Sequence, residues 1–233
     1  MPAKIITVCN QKGGAGKTTV SMQIAAAFSK RGWRTLVVDA DPQATATRWA
    51  ASAPDERPFP ASVVGLSAAG AKVHREIAKF VEDYEAIIVD CPPAADNPVS
   101  QSALLVSDLA LVPLLPSPLD LWASVGIRET ITNLSTINED LQARLLVNGL
   151  QPQTTLAREA LEVLQTFGLP RCQTMLHLRT AYRQSAAYGG SVHDLENATG
   201  PAVREIEALT TELLGYLAAP PKEIVQVQSL QTT

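Results

Sequence analysis

Clustered cysteine is the first thing this chain lacks. Its 233 residues include three cysteines, Cys9, Cys91 and Cys172, far apart and without CxxC spacing. That odd, scattered set excludes a disulfide framework and a self-contained zinc or metal-cluster site, and it suits reducing surroundings. An excess of positive charge is also missing. Nineteen Lys and Arg against 23 Asp and Glu leave a formal net charge of -4, so the surface does not coat nucleic acid uniformly, and any DNA contact must come from a local patch. No apolar run approaches the roughly 20 residues needed to span a bilayer. The amino terminus leads straight into a strand without a signal-peptide profile, which predicts a soluble protein. Internal repeats and low-complexity tracts are absent as well. Hydrophobic residues at 46% and charged residues at 18% supply a buried core and argue against bulk disorder. The length suits one α/β domain, expected over residues 1–218, with a Pro-led, polar tail over 219–233.

What is present begins with Gln11-Lys12-Gly13-Gly14-Ala15-Gly16-Lys17-Thr18-Thr19. The stretch joins an apolar strand, Lys4 to Cys9, to a helix predicted over Thr18 to Arg31 with Val20, Ile24, Ala27 and Phe28 on one face. Small residues at 13 to 16 let the backbone curl into an anion nest of N–H groups, and the helix start adds its positive dipole end. In such a cradle Lys17 reaches the β- and γ-phosphates and the Thr18 hydroxyl ligates Mg²⁺. The strict nucleotide-binding pattern asks for Gly where this chain has Gln11, and Lys12 is a second lysine inside the loop.

Gly32 stops the helix, and Arg34 to Asp39 forms the next strand, completing a βαβ unit with phosphate chemistry at its carboxyl edge. Asp39 and Asp41 then face the same edge, with Pro42 restricting Asp41 to extended geometry. Either carboxylate alone also fits a cap of the following helix. Ala86 to Asp90 is a third apolar strand ending in a carboxylate, the arrangement that holds Mg²⁺, usually through water, beside a phosphate loop. Further along, Val63 to Leu66 reads as a short edge strand and Gly70 to Val81 as a helix in which His74 is solvated. Leu109 to Leu115 and Arg144 to Asn148 read as buried strands, and Arg171 to Leu176 as a final one. Leu119 to Ile137 has the spacing of one long helix, Arg158 to Phe167 of another and Pro201 to Leu217 of the closing one. Strands alternating with helices predict a three-layer, doubly wound, mostly parallel α/β sheet of the P-loop NTPase class.

Lys-Gly-Gly-x-Gly-Lys-Thr-Thr resembles the deviant phosphate loop of the ParA/MinD family of ATPases, and Gln11 resembles its ParA branch, the small plasmid-partition and cargo-positioning type. Asp39-Ala40-Asp41-Pro42-Gln43 and Asp90-Cys91-Pro92-Pro93 resemble that family's switch I and switch II, and Pro116-Ser117-Pro118-Leu119-Asp120 a segment near its nucleotide and dimer surface. The likeness spans about residues 4 to 217. It implies ATP and Mg²⁺ as cofactors, held by Lys12, Gly13, Gly14, Ala15, Gly16, Lys17, Thr18 and Thr19, with Thr18, Asp41 and Asp90 around the metal and Asn148 bordering the adenine. Lys12, Lys17 and Asp41 take the catalytic roles, Lys12 by crossing to the ATP of a partner subunit in a homodimer. Slow hydrolysis is expected, since no general-base histidine lies near the motifs. The likeness further implies binding of nonspecific double-stranded DNA by basic residues of the carboxyl-terminal region, here Arg179, Arg183 and Arg204, although arginines on a helix are as often its wet face. The likeness also implies a ParB-like or adaptor partner that stimulates hydrolysis, and a cytoplasmic, nucleoid-associated protein.

Only three residues precede the first strand, which predicts no amino-terminal operator-binding domain. Other classes share the ATP site. A MinD-like membrane switch needs a basic amphipathic carboxyl-terminal helix, whereas Lys222 to Gln228 has one cation and alternates like a strand, so no membrane partner is expected. A ligase of the dethiobiotin-synthetase type predicts turnover that depends on a small carboxylate or amine. A scaffold that binds ATP without hydrolysing it is the non-enzymatic option.

Overall fold

Apolar strands that bury side chains on both faces organise the molecule. The computed structural model describes residues 2–93, 97–151, 155–164, 167–195 and 199–219. Six strands, β1 (Lys4–Val8), β2 (Thr35–Asp39), β3 (Ser62–Gly65), β4 (Ala86–Asp90), β5 (Leu109–Leu114) and β6 (Gln142–Val147), form one sheet in the order β3-β2-β4-β1-β5-β6. Every strand pair in it is parallel, with Ile6 opposite Ile88 and Leu109, and Val38 opposite Val64 and Val89. Period-2 alternation sends Ile5, Leu36, Val38, Ile87 and Val89 to one core and Ile6, Val8, Val37 and Ile88 to the other. Near-continuous Ile, Val and Leu runs are what a sheet covered on both sides requires.

One face packs against α1 (Lys17–Lys30), α2 (Thr45–Ala51), α8 (Thr180–Ala187) and α9 (Pro201–Ala218); the other packs against α3 (Val73–Ile77), α4 (Pro98–Leu104), α5 (Pro118–Ala123), α6 (Val125–Ser135) and α7 (Thr155–Leu164). The layers are those the alternation of strands and helices predicts. Among the described residues no helix is long and apolar enough to cross a membrane. The expected tail lies, from residue 220 on, outside the described residues.

Four expectations need correction. The helix over 119–137 is two helices, broken at Ser124 (φ -96°, ψ 2°), whose hydroxyl donates to Asp120 O at 2.8 Å. Residues 70–81 hold only the short α3 between 3₁₀ turns, because Gly70 at φ 53° interrupts regular winding. His74 is half-buried, its Nδ1 2.7 Å from Ser102 Oγ on α4, rather than solvated. The expected strand over 171–176 is not a regular strand: an isolated bridge pairs Arg171 with Leu145 of β6, Leu176 N donates to Val147 O at 2.9 Å, and a further bridge pairs His177 with Leu150 beyond β6. The cause is Glu212 on α9, whose carboxylate accepts the N–H groups of Gln173 (2.5 Å) and Thr174 (2.9 Å), so those amides never join the sheet ladder.

Candidate active site

β1 ends on the phosphate loop at the carboxyl edge of the sheet, where its neighbour β4 and the next strand, β2, end in Asp90 and Asp39. Parallel register places these ends level with one another, with Val8 opposite Asp90 and Asp39 opposite Asp90. This edge is where doubly wound sheets bind ligands.

The loop turns through Gly14 (φ 78°) and Gly16 (φ 88°). Gly16 has a second reason to be glycine: a Cβ there would lie 2.2 Å from Asn148 Nδ2. Asn148, just past β6, donates from that nitrogen to Ala15 O at 2.9 Å. It therefore braces the phosphate loop, and this bond takes one of the two hydrogens on its amide nitrogen. Gly13 and Gly14 are exposed with open space where a side chain would be, leaving their amides accessible to an anion. Thr19 follows on the first turn of α1.

Lys17 is buried, and its Nζ donates to Lys12 O at 3.0 Å. Burial lowers its pKa, while the nearby Asp90 and Asp41 carboxylates act in the opposite sense. Thr18 Oγ1 donates to Asp90 Oδ2 at 2.7 Å, and Ser21 Oγ lies 3.1 Å from Asp90 Oδ1. Asp90 is fully buried, and that burial pushes its carboxyl up to about 7, with Asp39 adding to the rise and the Thr18 and Ser21 hydroxyls opposing it.

Asp39 and Asp41 separate into different duties. Asp39 Oδ2 accepts from Thr47 N (2.8 Å) and Thr47 Oγ1 (2.9 Å), tying the loop after β2 to α2. Asp41 is half-buried, with Oδ1 accepting, among the described residues, only the local Gln43 N–H at 2.9 Å. It is the less committed of the two.

Residues that hold magnesium through oxygen and leave most positions to water and phosphate suit this site. The described residues contain no group of three or more His, Cys, Asp or Glu that could hold an ion by themselves. Thr18 and Asp90, already 2.7 Å apart beside Lys17, fit a metal that brings its remaining ligands with the nucleotide.

Some contributors are invisible in the motif itself. Asn10 Nδ2 donates to Pro113 O (2.7 Å) and Ser124 Oγ (3.3 Å), anchoring the loop to β5 and to the end of α5. Ser21, four residues beyond Lys17, was identifiable by helical spacing, whereas Ser124 carried no local signal. Lys12 forms an ion pair with Asp120 of the same chain.

Arg179 and Arg183 do not stand on one helix. Arg179 precedes α8 in extended geometry (φ -131°, ψ 138°), so it does not stack one turn below Arg183. Glu205 engages it, accepting from Arg179 Nε at 2.9 Å while also meeting His177 Nδ1 (2.8 Å) and Tyr182 OH (3.0 Å). Arg183 and Arg204 are exposed, Arg204 donating to Thr199 O. A cavity of about 810 Å³ lies beside Arg179, Gln184 and Tyr188, away from the phosphate loop. Its size does not make it the reaction centre, since the phosphate-binding amides and carboxylates are elsewhere.

A fully buried carboxyl raised to about 7 has a measurable consequence in protein without nucleotide or metal. The folded-state pKa exceeds the ordinary 3.8, so Asp90's contribution to stability is fully present below pH 4 and is lost as pH rises toward 7. Asp90→Asn is therefore expected to melt several degrees higher than wild type at pH 8, with the gap closing toward pH 4. Equal melting temperatures at pH 8 would remove the buried-charge argument.

A phosphate loop between a central parallel strand and a buried helix, flanked by strand-terminal carboxylates, defines a P-loop nucleotide-hydrolysing protein. The chain belongs to the CobQ/CobB/MinD/ParA nucleotide binding domain family, whose model matches residues 6–192. It is 32% identical to the maintenance of carboxysome distribution protein A of Halothiobacillus neapolitanus, over 90% of this chain and 95% of that one. Cobyrinic acid a,c-diamide synthase from Mycobacterium smegmatis, solved with ADP and magnesium, superposes with a TM-score of 0.68 at 26% identity, covering 79% of this chain and 92% of the other. An ATP complex of Cyanothece McdA superposes with a TM-score of 0.76 over 96% of this chain and 99% of that one; at 17% identity it speaks for the fold. The protein is an ATPase of this family, working with ATP and Mg²⁺.

Proposed function

We propose that this chain is an ATP-dependent dimerising switch that positions or segregates a cargo on nucleoid DNA, a partner protein stimulating its hydrolysis. The observation that carries this reading is the extra lysine of the phosphate loop. Lys12 stands at the loop's outer side with its side chain over one-third exposed, whereas Lys17 is buried inside the cradle. A second cation beside one phosphate site is redundant for a monomer. Supplied to a second subunit's ATP, it makes assembly depend on the γ-phosphate and stabilises transition-state charge. Bound Mg-ATP supplies the scissile phosphate and the metal's charge neutralisation; Lys17, Thr18 and the loop amides hold them, Asp90 fixes the metal side and Asp41 orients water. Hydrolysis then ends the dimer's lifetime.

The likeness to a carboxysome distribution protein over nearly its whole length supports a protein organelle as cargo, with a plasmid or chromosome origin as the other members of the class. The stimulating partner is ParB-like or an adaptor on that cargo. DNA contact falls to Arg183 and Arg204, because Arg179 already has Glu205. Retention on nonspecific duplex DNA is expected with ATP and not with ADP. Arg183→Glu with Arg204→Glu should cut retention several-fold and flatten its salt dependence while leaving ATP-driven dimerisation intact. Unchanged retention in that variant would move the DNA surface elsewhere.

The 26% identity to a diamide synthase favours a second reading, an ATP-dependent biosynthetic enzyme. That reading requires turnover to depend on a small carboxylate or amine. ATPase activity stimulated by DNA in the absence of any such substrate excludes it.

A further inference from the structure

Lys12 and α5 are joined through a buried carboxylate. Asp120, in the first turn of α5, is 5% exposed. Its Oδ2 accepts from the Ser117 hydroxyl, and its Oδ1, also buried, meets one group among the described residues, the Lys12 ammonium. A second tie runs from the same loop, through Asn10 Nδ2 to Ser124 Oγ and from there to Asp120 O. The helix is thus held to the phosphate loop at both of its ends. On either side of Asp120 in sequence, Leu119 and Trp122 are each 69% exposed.

A buried carboxylate whose cation is withdrawn is strongly destabilised. One ammonium also cannot serve Asp120 of its own chain and the phosphates of a partner's ATP at once, so the two contacts compete. We propose that Asp120 is a positioning residue that parks Lys12 in cis, sets the nucleotide concentration at which the dimer closes, and couples departure of Lys12 to a shift of α5 and its Leu119–Trp122 edge. The inference rests on the trans role of Lys12 under the proposed function. It goes further in assigning the residue that opposes that role and in giving the dimer a threshold.

The test is titration of full-length protein with a non-hydrolysable ATP analogue, with dimer mass followed by light scattering and nucleotide binding by a fluorescent ATP analogue. Asp120→Asn keeps the shape and a partner for Ser117 but removes the charge. The midpoint of dimerisation is expected to fall about 5-fold or more while nucleotide binding to the monomer stays within about 2-fold. Asp120→Glu should keep the wild-type midpoint, and in a Lys12→Ala background, which forms no dimer, Asp120→Asn should not create one. Should the Asn variant fail to melt cooperatively, Asp120→Ser provides the same neutralisation in a smaller side chain. A midpoint equal to or above that of wild type in the neutral variants overturns the proposal, as does a dimer that Asp120→Asn produces without Lys12. Wild-type protein that stays monomeric with the analogue overturns the dimer reading itself, an outcome visible before any variant is compared.

Discussion

Lys12→Ala is expected to bind ATP yet fail to form a productive dimer, with partner-stimulated hydrolysis lower by about 100-fold or more, the loss typical when a transition-state cation or donor is removed. Binding survives because the cradle's own cation is Lys17, which is buried at the start of α1 and is separate from the Lys12 side chain. In this chain the Lys12 ammonium rests on Asp120, so its removal strips the site of nothing that holds a monomer's phosphates. Loss of nucleotide binding together with dimerisation would mean that Lys12 serves its own subunit. Full stimulated activity in the variant would show that no trans cation is needed.

Asp41→Ala is expected to bind Mg-ATP and then hold it, with phosphate release slowed by about 100-fold and the dimer retained on DNA. Among the described residues its carboxylate accepts one hydrogen bond, from Gln43 N–H. Removing it leaves the Thr18–Asp90 pair and the Asp39–Thr47 tie in place. Asp90→Asn acts on the metal side instead and should weaken magnesium-dependent binding. The two carboxylates are thus separable by one comparison: filter binding of ATP survives in the first variant and falls in the second. Fast turnover in Asp41→Ala would count against a water-orienting role.

The fold was legible where one physical requirement dominates. A strand buried on both faces must be apolar throughout, and Ala86–Asp90 and Thr35–Asp39 announce themselves as such, each closing on a carboxylate at the sheet's carboxyl edge. The loop between β1 and α1 was legible because few sequences place small residues, a lysine and a threonine in that order at a helix start. Thr18, Lys17 and Asp90 are brought together as their motifs suggest. What stayed hidden depends on partners far along the chain. Nothing within residues 171–176 says that Glu212 will take two of their amides. Nothing in the spacing of 119–137 says that Ser124 will be drawn to Asn10 and end a helix there. Arg179 and Arg183 have helical spacing on paper, but the helix begins at Thr180 and Glu205 captures the first of them. Asp120 reads equally as an ordinary first-turn acid, and only folding reveals that Lys12 is its counter-ion.

The central claim is that ATP, and not ADP, joins two copies of this chain. Sedimentation velocity of Asp41→Ala with Mg-ATP and with Mg-ADP tests it most directly, because slow hydrolysis holds the nucleotide state during the run. The account requires about twice the 24.8 kDa chain mass with ATP, the chain mass with ADP, and loss of the ATP dimer when Lys12→Ala is added. A single species of chain mass under both nucleotides, with ATP binding verified, would contradict it.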